Sequence, residues 1–164
     1  MRIRPATPAD FDDLARIEVA AGQLFRAIGM DAVADDDPPS GDELAAAAAI
    51  LVAEVEDVPV GYAWIDLVDD HAHLEQVSVL PEHGGQGIGT ALLDAVCEWA
   101  RDRGDSAVTL TTFRDVAFNA ALYAKRGFAA VPEAEWSPGI RAVVAEEADH
   151  GLDPAKRVVM RRPV

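Results

Sequence analysis

The segment Glu82–Leu93, EHGGQGIGTALL, sets a cluster of glycines directly ahead of a helix-patterned apolar run. Backbone N–H groups left exposed where glycines open a helix form an anion site, so the chemistry this spacing points to is the binding of phosphate. Two phosphate loops share the order strand, turn, glycines, helix. A dinucleotide fingerprint starting at Gly85 needs its third glycine where Thr90 stands, and one starting at Gly87 needs it at Leu92, so both alignments fail. A P-loop needs Gly-Lys-Ser/Thr at the helix start, and no lysine lies near.

A second constellation lies in FNAALYAKRGF, Phe118 to Phe128. Asn119 and Tyr123 are four apart and fall on one helical face, while Phe118, Ala121 and Leu122 are expected to point to the core. Taken alone, a tyrosine at this spacing is a half-buried packing residue. Cys97, set among alanine, valine and tryptophan, reads as a small core residue rather than a nucleophile. No Cys/His pattern points to a metal, and no Ser-His-Asp arrangement points to a hydrolase.

The elements that carry these residues alternate along the chain. Ala72–Val79 reads as a strand whose ladder Pro81 ends. Ile88, Leu92, Ala95, Val96 and Trp99 then recur at three-and-four spacing, which predicts one buried helical stripe, with Gly104 as its C-terminal stop after Arg101 and Arg103. Upstream, Ile3–Pro5 is a short strand, and Thr7 caps a helix whose first residue is Pro8 and third is Asp10, with Phe11, Leu14 and Ile17 on its buried face. Ser40 and Glu43 form a capping box for a second helix. Ile50–Val55 and Val60–Val68 read as strands joined by a turn at Glu56, Asp57 and Pro59, and Asp69-Asp70-His71 turns into the next strand, giving an antiparallel meander. Beyond the long helix come a strand Ala107–Thr112, a helix around Phe118–Arg126, and strands near Phe128–Val131 and Val158–Arg161.

The pattern Gly84-Gly85-Gln86-Gly87-Ile88-Gly89 resembles the Arg/Gln-x-x-Gly-x-Gly/Ala pyrophosphate loop of the GCN5-related N-acetyltransferases. Gly87 and Gly89 match, whereas Gly84 stands where the family carries Arg or Gln. A long side chain there would add a charge-assisted bond, Gly84 offers only another N–H, and His83 or Gln86 are the candidates to compensate. Phe118–Phe128 likewise resembles the family's Asn-x-x-x-Tyr…Gly-Phe signature, and the element order β-α-α-β-β-β-α-β-α-β-β is similar to the family fold across nearly the whole chain. The resemblance implies one N-acetyltransferase domain over residues 1–164 of the α/β (α+β) class: a central, mostly antiparallel twisted sheet whose fourth and fifth strands splay apart, with helices on both faces. It implies acetyl-coenzyme A as co-substrate, its pantetheine arm bonded by the backbones of Val77, Ser78 and Val79 and its pyrophosphate held by Gly84, Gly85, Gln86, Gly87, Ile88, Gly89 and Thr90. By the same resemblance Asn119 contacts the cofactor and Tyr123 gives its hydroxyl proton to the departing thiolate. A ligand that acts as a substitute strand at an unpaired sheet edge is physically sensible.

Direct acyl transfer requires a neutral amine. A lysine-like amine with a pKa near ~10.4 is mostly charged at neutral pH, and freeing its lone pair costs roughly 4.6 kcal/mol. A proton acceptor is therefore needed, and Glu75 is the first candidate, directly or through water, with Asp66, His73 and Asp115 as substitutes. The other reading of Glu75 is a solvated rim carboxylate with no proton role.

With 164 residues, half of them apolar, the chain is long enough for one domain with a sizeable core. No apolar run approaches a membrane span, Met1-Arg2-Ile3-Arg4 is followed by no signal-like block, and a single cysteine permits no internal disulfide, so a cytoplasmic protein is expected. A net charge of −15 repels nucleic acid and anionic membranes and is permissive for cationic substrates. Gly22–Gly41 corresponds by order to the variable loop that covers the family's acceptor site, and its run Asp35-Asp36-Asp37 reads as solvated loop rather than polyamine trap. Arg114 is a candidate ligand for carboxylate or phosphate, and Trp136 with Arg141–Leu152 is expected to close the pocket. The expectation is an acetyl-coenzyme A dependent N-acetyltransferase acting on a primary amine of a small molecule or protein, with a homodimer by fold analogy. The alternative is a non-catalytic acyl-coenzyme A binding or regulatory module on the same fold.

Overall fold

Seven strands are hydrogen-bonded in the order β1-β2-β3-β4-β5-β7-β6 in the computed structural model, which describes residues 1–164. The chain divides into two compact units, one formed by Met1–Ile65 with Gln76–Val96 and the other by Asp66–Glu75 with Cys97–Val164.

The first unit begins with β1 (Arg2–Pro5), which pairs antiparallel with β2 (Ala49–Val55). Between them run α1 (Phe11–Arg26), reached through a 3-10 turn at Pro8–Asp10, then α2 (Asp31–Ala34) and α3 (Gly41–Ala46). The Asp10 carboxylate accepts the Thr7 backbone N–H at 2.7 Å and the Arg4 guanidinium at 2.7 and 2.9 Å. Arg4 also reaches Glu54, so β1, β2 and the start of α1 meet at one guanidinium, which holds the Asp10 carboxyl well below the usual carboxylate range. The capping box at Ser40 and Glu43 forms as expected, the Glu43 N–H donating to the Ser40 hydroxyl at 3.2 Å.

β2 turns into β3 (Val58–Val68) through Glu56 and Asp57, both in the left-handed region at φ 52° and 62°. That two-residue turn matches the twist of a hairpin, and it returns Pro59, expected in the turn, to the strand opposite Glu54. Asp69 and Asp70 repeat the device, at φ 51° and 62°, before β4 (His71–Val79). Gly61 is required on β3 because a Cβ there would sit 2.9 Å from the Ser78 carbonyl and 3.2 Å from the Val79 side chain.

α4 (Ile88–Arg103) follows the glycine cluster and stops at Gly104, φ +91°. Its buried stripe is Ile88, Leu92, Leu93, Val96, Cys97 and Ala100. Burying each large aliphatic side chain there contributes about 1.5–3 kcal/mol. Trp99, predicted on that stripe, is half-buried instead, with the Arg103 guanidinium 5.9 Å from its ring. Cys97 is 1% exposed, in keeping with a core role.

In the second unit β5 (Ala107–Phe113) pairs parallel with β4 at His73↔Thr109 and Leu74↔Leu110, and antiparallel with β7 (Arg157–Pro163) over its whole length. β6 (Ala129–Ala130) adds to the far side of β7 and is shorter than the predicted strand Phe128–Val131. The helix expected around Phe118–Arg126 contracts to α5 (Ala120–Ala124), and Phe118, Ala121 and Leu122 are exposed rather than directed to the core. So short a helix has too few turns to carry a buried stripe; Phe128, 3% exposed, supplies the buried aromatic there.

The main departure from the predicted order is a further helix, α6 (Pro138–Asp149), between β6 and β7. Ser137 caps it, accepting the Ile140 N–H at 3.2 Å, and the Asp69 carboxylate accepts the Gly139 N–H at 2.9 Å. Ile140 and Val144 pack with Val159 of β7, joined by Val68, Val131 and Trp136. A helix of this length is marginal alone, so that apolar contact is what orders it.

Candidate functional site

In the first unit Pro81–His83 forms a 3-10 turn after β4, and the chain enters α4 through Gly85 and Gly87 at φ +73° and +82°. Only glycine adopts that pair of conformations at low cost. The first backbone bond of α4 is donated by Ala91 to the Gly87 carbonyl at 3.0 Å. The N–H groups ahead of it, from Gly85 to Thr90, have no backbone acceptor, which leaves a run of donors with the positive end of the α4 dipole behind them. Gly84 departs from expectation. Its N–H donates to the Pro81 carbonyl at 3.0 Å, so it adds no donor to the loop. Of the side chains proposed to compensate, Gln86 donates back to the Glu82 carbonyl at 3.3 Å, and the Nδ1 of His83 is buried without a hydrogen bond.

β4 is held just before this loop by a polar chain that sequence patterns did not single out. The Glu18 carboxylate on α1 accepts the Tyr62 hydroxyl at 2.7 Å and the Ser78 hydroxyl at 2.6 Å, and Gln76 donates to the Ser78 oxygen at 2.9 Å. Tyr62 is fully buried, and its hydroxyl is raised far above the ordinary phenol range by burial and then by the Glu18 charge. Ser78 is 4% exposed with its hydroxyl committed to Glu18, so Val77, Ser78 and Val79 have only main chain to offer a ligand at the middle position.

The second unit gathers the titratable groups. Glu75 lies on β4 with 44% of its side chain open, and its Oε2 is 3.9 Å from Nε2 of His73. The carboxyl is pushed up to about 7, first by loss of water around it, then by the negative charges of Asp66, Glu147 and Glu146, with Arg157 pulling the other way. A carboxyl with that pKa exchanges protons near neutrality, while its open side keeps it in contact with solvent. His73, fully buried and hydrogen-bonded through Nδ1 to the Thr109 hydroxyl at 2.8 Å, is lowered to about 4 by burial, so it stays neutral beside Glu75. Asp115 sits exposed in the bend after β5.

Glu147 of α6 is fixed by Arg157, which donates to its two carboxylate oxygens at 3.1 and 3.2 Å, and by the Thr111 hydroxyl. Arg157 also reaches the Thr111 oxygen at 3.2 Å and lies 4.6 Å over the Phe113 ring. Tyr123 on α5 is half-buried, its ring meeting Phe128 edge-on at 5.9 Å, and its hydroxyl is pushed up to about 12 by burial, with the Arg157 charge opposing. Its hydroxyl therefore stays protonated throughout the neutral range. Asn119 is the residue ahead of α5, its carbonyl accepting the Tyr123 N–H at 3.1 Å. Arg157 is named by no sequence pattern, and Glu147 enters the sequence reading only as part of the stretch Arg141–Leu152 expected to close the pocket. Ser137-Pro138 was the one local signal that a helix carrying Glu147 would start there.

Comparison with known proteins bears on this arrangement. The profile of the acetyltransferase (GNAT) family matches residues 17–128. Uncharacterized N-acetyltransferase YobR of Bacillus subtilis (strain 168) is 29% identical over 69 residues, covering 42% of this chain and 28% of that protein. N-acetyltransferase 8B of Homo sapiens is 40% identical over 83 residues, covering 47% of this chain and 37% of that protein. The matched segment thus spans at most 37% of the length of these relatives. Among solved structures, the PaiA N-acetyltransferase from Thermoplasma acidophilum, crystallised in complex with coenzyme A, aligns with a TM-score of 0.74 at 15% identity over 99% of this chain and 98% of its own. That likeness is one of fold. Over the two thirds of its length that carry the glycine loop, Glu75 and the Asn119–Phe128 segment, the chain belongs to the acetyltransferase (GNAT) family.

Proposed function

We propose that this protein transfers an acetyl group from acetyl-coenzyme A to a primary amine by direct attack on the thioester. The observation that carries the proposal is that the chain belongs to the acetyltransferase (GNAT) family and offers Glu75, a carboxyl that exchanges protons near neutrality, and Tyr123, a hydroxyl that stays protonated there, both under the charge of Arg157. The N–H groups of Gly85–Thr90 hold the pyrophosphate, the main chain of Val77–Val79 bonds the pantetheine arm, and Asn119 contacts the cofactor, as in the family the chain belongs to.

The acceptor arrives as an ammonium ion, drawn by Asp66, Glu146 and Glu147. Those charges also raise the amine's pKa, which opposes its activation. The same crowding strengthens the base. A carboxylate at about 7 instead of the ordinary 4.5 narrows the gap to a lysine-like amine near ~10.4 to about 3.4 units. Glu75 takes the proton, directly or through a water on its open side. The amine lone pair forms the new C–N bond, the C–S bond breaks, and the sulfur leaves as a thiolate whose charge the Tyr123 hydroxyl meets by donating its proton. A cytoplasmic setting fits a chain whose single cysteine permits no internal disulfide and in which no helix is long and apolar enough to cross a membrane.

The test is acceptor-dependent release of free thiol from acetyl-coenzyme A across a panel of primary amines, against a no-acceptor control, in wild type and Tyr123→Phe. The variant is expected to lose roughly 10²- to 10⁴-fold in turnover while binding acetyl-coenzyme A as before. Binding without acceptor-dependent release from any amine would favour the non-catalytic acyl-coenzyme A module instead, and unchanged turnover in the variant would remove Tyr123 from the proton path.

A further inference from the structure

α1 carries a carboxylate where its own period calls for an apolar side chain. Phe11, Leu14 and Glu18 recur at three-and-four spacing beside Ile17, and Leu14 and Ile17 are fully buried. Glu18 is half-buried and forms no ion pair; a single oxygen, Oε2, accepts the Tyr62 hydroxyl at 2.7 Å and the Ser78 hydroxyl at 2.6 Å. Phenylalanine at 62 and leucine at 18 would fill much the same space with no charge to desolvate, so packing alone does not call for this acid. A polar group that breaks the local pattern in this way marks a place where function overrides stability.

The strand that Glu18 grips is paired on one edge only. β5 pairs with β4 no further than Leu74↔Leu110, so Gln76–Val79, in the first unit, has β3 on one side and no strand on the other. On the β3 side the Leu80 N–H donates to the Val60 carbonyl at 2.9 Å, and Gly61 lets the Ser78 carbonyl come close. A strand held by one ladder opens more readily than one held by two. The Ser78 side chain supplies the second restraint. Its hydroxyl donates to Glu18 and accepts from Gln76 at 2.9 Å, and through Oε2 it shares an anchor with the fully buried Tyr62 of β3. That restraint acts at the middle one of the three residues, Val77–Val79, whose main chain takes the pantetheine arm in the function proposed above.

We propose that Glu18 is a positioning residue for the cofactor: by holding the Ser78 hydroxyl it sets the main chain of Val77–Val79 in advance, so that acetyl-coenzyme A meets a hydrogen-bonding edge already in place. This inference rests on the N-acetyltransferase reading for the identity of the ligand, and its own effect is read in cofactor binding. A restraint that acts before binding removes an ordering cost the cofactor would otherwise meet, so its loss falls on affinity. Once cofactor saturates the protein the bound strand is restored, and turnover is kept. The charge of Glu18 is not required, because the amide oxygen of glutamine can accept both hydroxyls.

The experiment titrates coenzyme A calorimetrically into wild type, Glu18→Ala, Glu18→Gln, Ser78→Ala and the double alanine variant. Thermal melts accompany each titration, and thiol release across the amine panel supplies kcat and the KM for acetyl-coenzyme A. Glu18→Ala and Ser78→Ala are each expected to raise Kd and KM roughly 10-fold with kcat retained. The double variant should be no worse than either single one, because both remove the same bond, and Glu18→Gln should bind like wild type. Ser40→Ala, whose hydroxyl is spent on Glu43, controls for stability: it should melt lower and bind coenzyme A unchanged. Wild-type affinity in Glu18→Ala, additive losses in the double variant, or an equal loss in Ser40→Ala would each overturn the proposal. So would a loss in Glu18→Gln as large as that in Glu18→Ala, which would mean that the charge acts rather than the hydrogen bond. Coenzyme A binding that depends on Glu18 supports the proposal even if no amine is acetylated, a result that counts against the N-acetyltransferase reading alone. A wild type that does not bind coenzyme A would overturn both.

Discussion

Glu147 on α6 and Arg157 at the start of β7 form an ion pair at 3.1 Å, with side chains only 18% and 11% exposed. The pair fastens the α6 insertion to the sheet and sets opposing charges around Glu75: Glu147 raises its carboxyl, and Arg157 lowers it. Arg157→Leu leaves Glu147 with its partner gone. The expected outcomes are a fall in melting temperature, for a loss of up to about 3 kcal/mol because both side chains keep some solvent, and an upward move in the acid limb of the kcat/KM profile. Thermal melts and pH–rate curves on the same variant check both. An unmoved acid limb would exclude Arg157 from the electrostatics of the base.

Glu75→Gln separates the two readings of that carboxylate. As a base, its loss lowers the rate most at neutral pH, and the defect shrinks as pH rises and free amine accumulates; a defect independent of pH argues for a rim carboxylate. Stability supplies a second readout. A carboxyl raised from 4.5 to about 7 in the folded state binds more protons folded than unfolded, so its contribution is fully present below pH 4.5 and is lost as pH climbs through 7. The glutamine variant is therefore expected to melt higher than wild type at pH 8 and alike at pH 4.5. Solvent on the open side of Glu75 keeps that gain small.

Gly87→Val tests the anion loop. The space around that position is open, with no atom within 4 Å of a built Cβ, so the substitution costs backbone strain at φ +82° without a clash, about 1–2 kcal/mol. The protein should fold, melt somewhat lower, and bind acetyl-coenzyme A at least ~10-fold more weakly as the donors around Gly87 turn away. Equilibrium binding measures it, and undiminished affinity in a folded variant would sink the assignment of Gly85–Thr90 to pyrophosphate.

Much of the first unit was legible in the chain because its signals are local. Thr7-Pro8-Ala9-Asp10, the Ser40–Glu43 box and the glycines before Ile88 each fix a few successive dihedrals, and the period of Ile88, Leu92 and Val96 reports a buried face without reference to its partner. Asn119 and Tyr123 could be found for the same reason, as a motif with fixed spacing. Local pattern failed where burial depends on what lies opposite. Phe118 and Leu122 have the right spacing for a core face, yet α5 is too short to bury them, and Trp99 shares the α4 period but lies at the edge of its buried stripe.

The amino-acid sequence determined the groups available: a glycine cluster ahead of a helix, an acid, a tyrosine, and an excess of negative charge. Tertiary structure alone decided how those groups are tuned. Only folding spends the Gly84 N–H on Pro81, brings Glu147 and Arg157 to Thr111, and orders α6 through the contact of Ile140 and Val144 with Val159. Proton affinity depends on the distance and dielectric between charges far apart in the chain. No spacing along the sequence encodes the shift of Glu75 to about 7, which arises when burial and the carboxylates of Asp66, Glu146 and Glu147 converge on one strand.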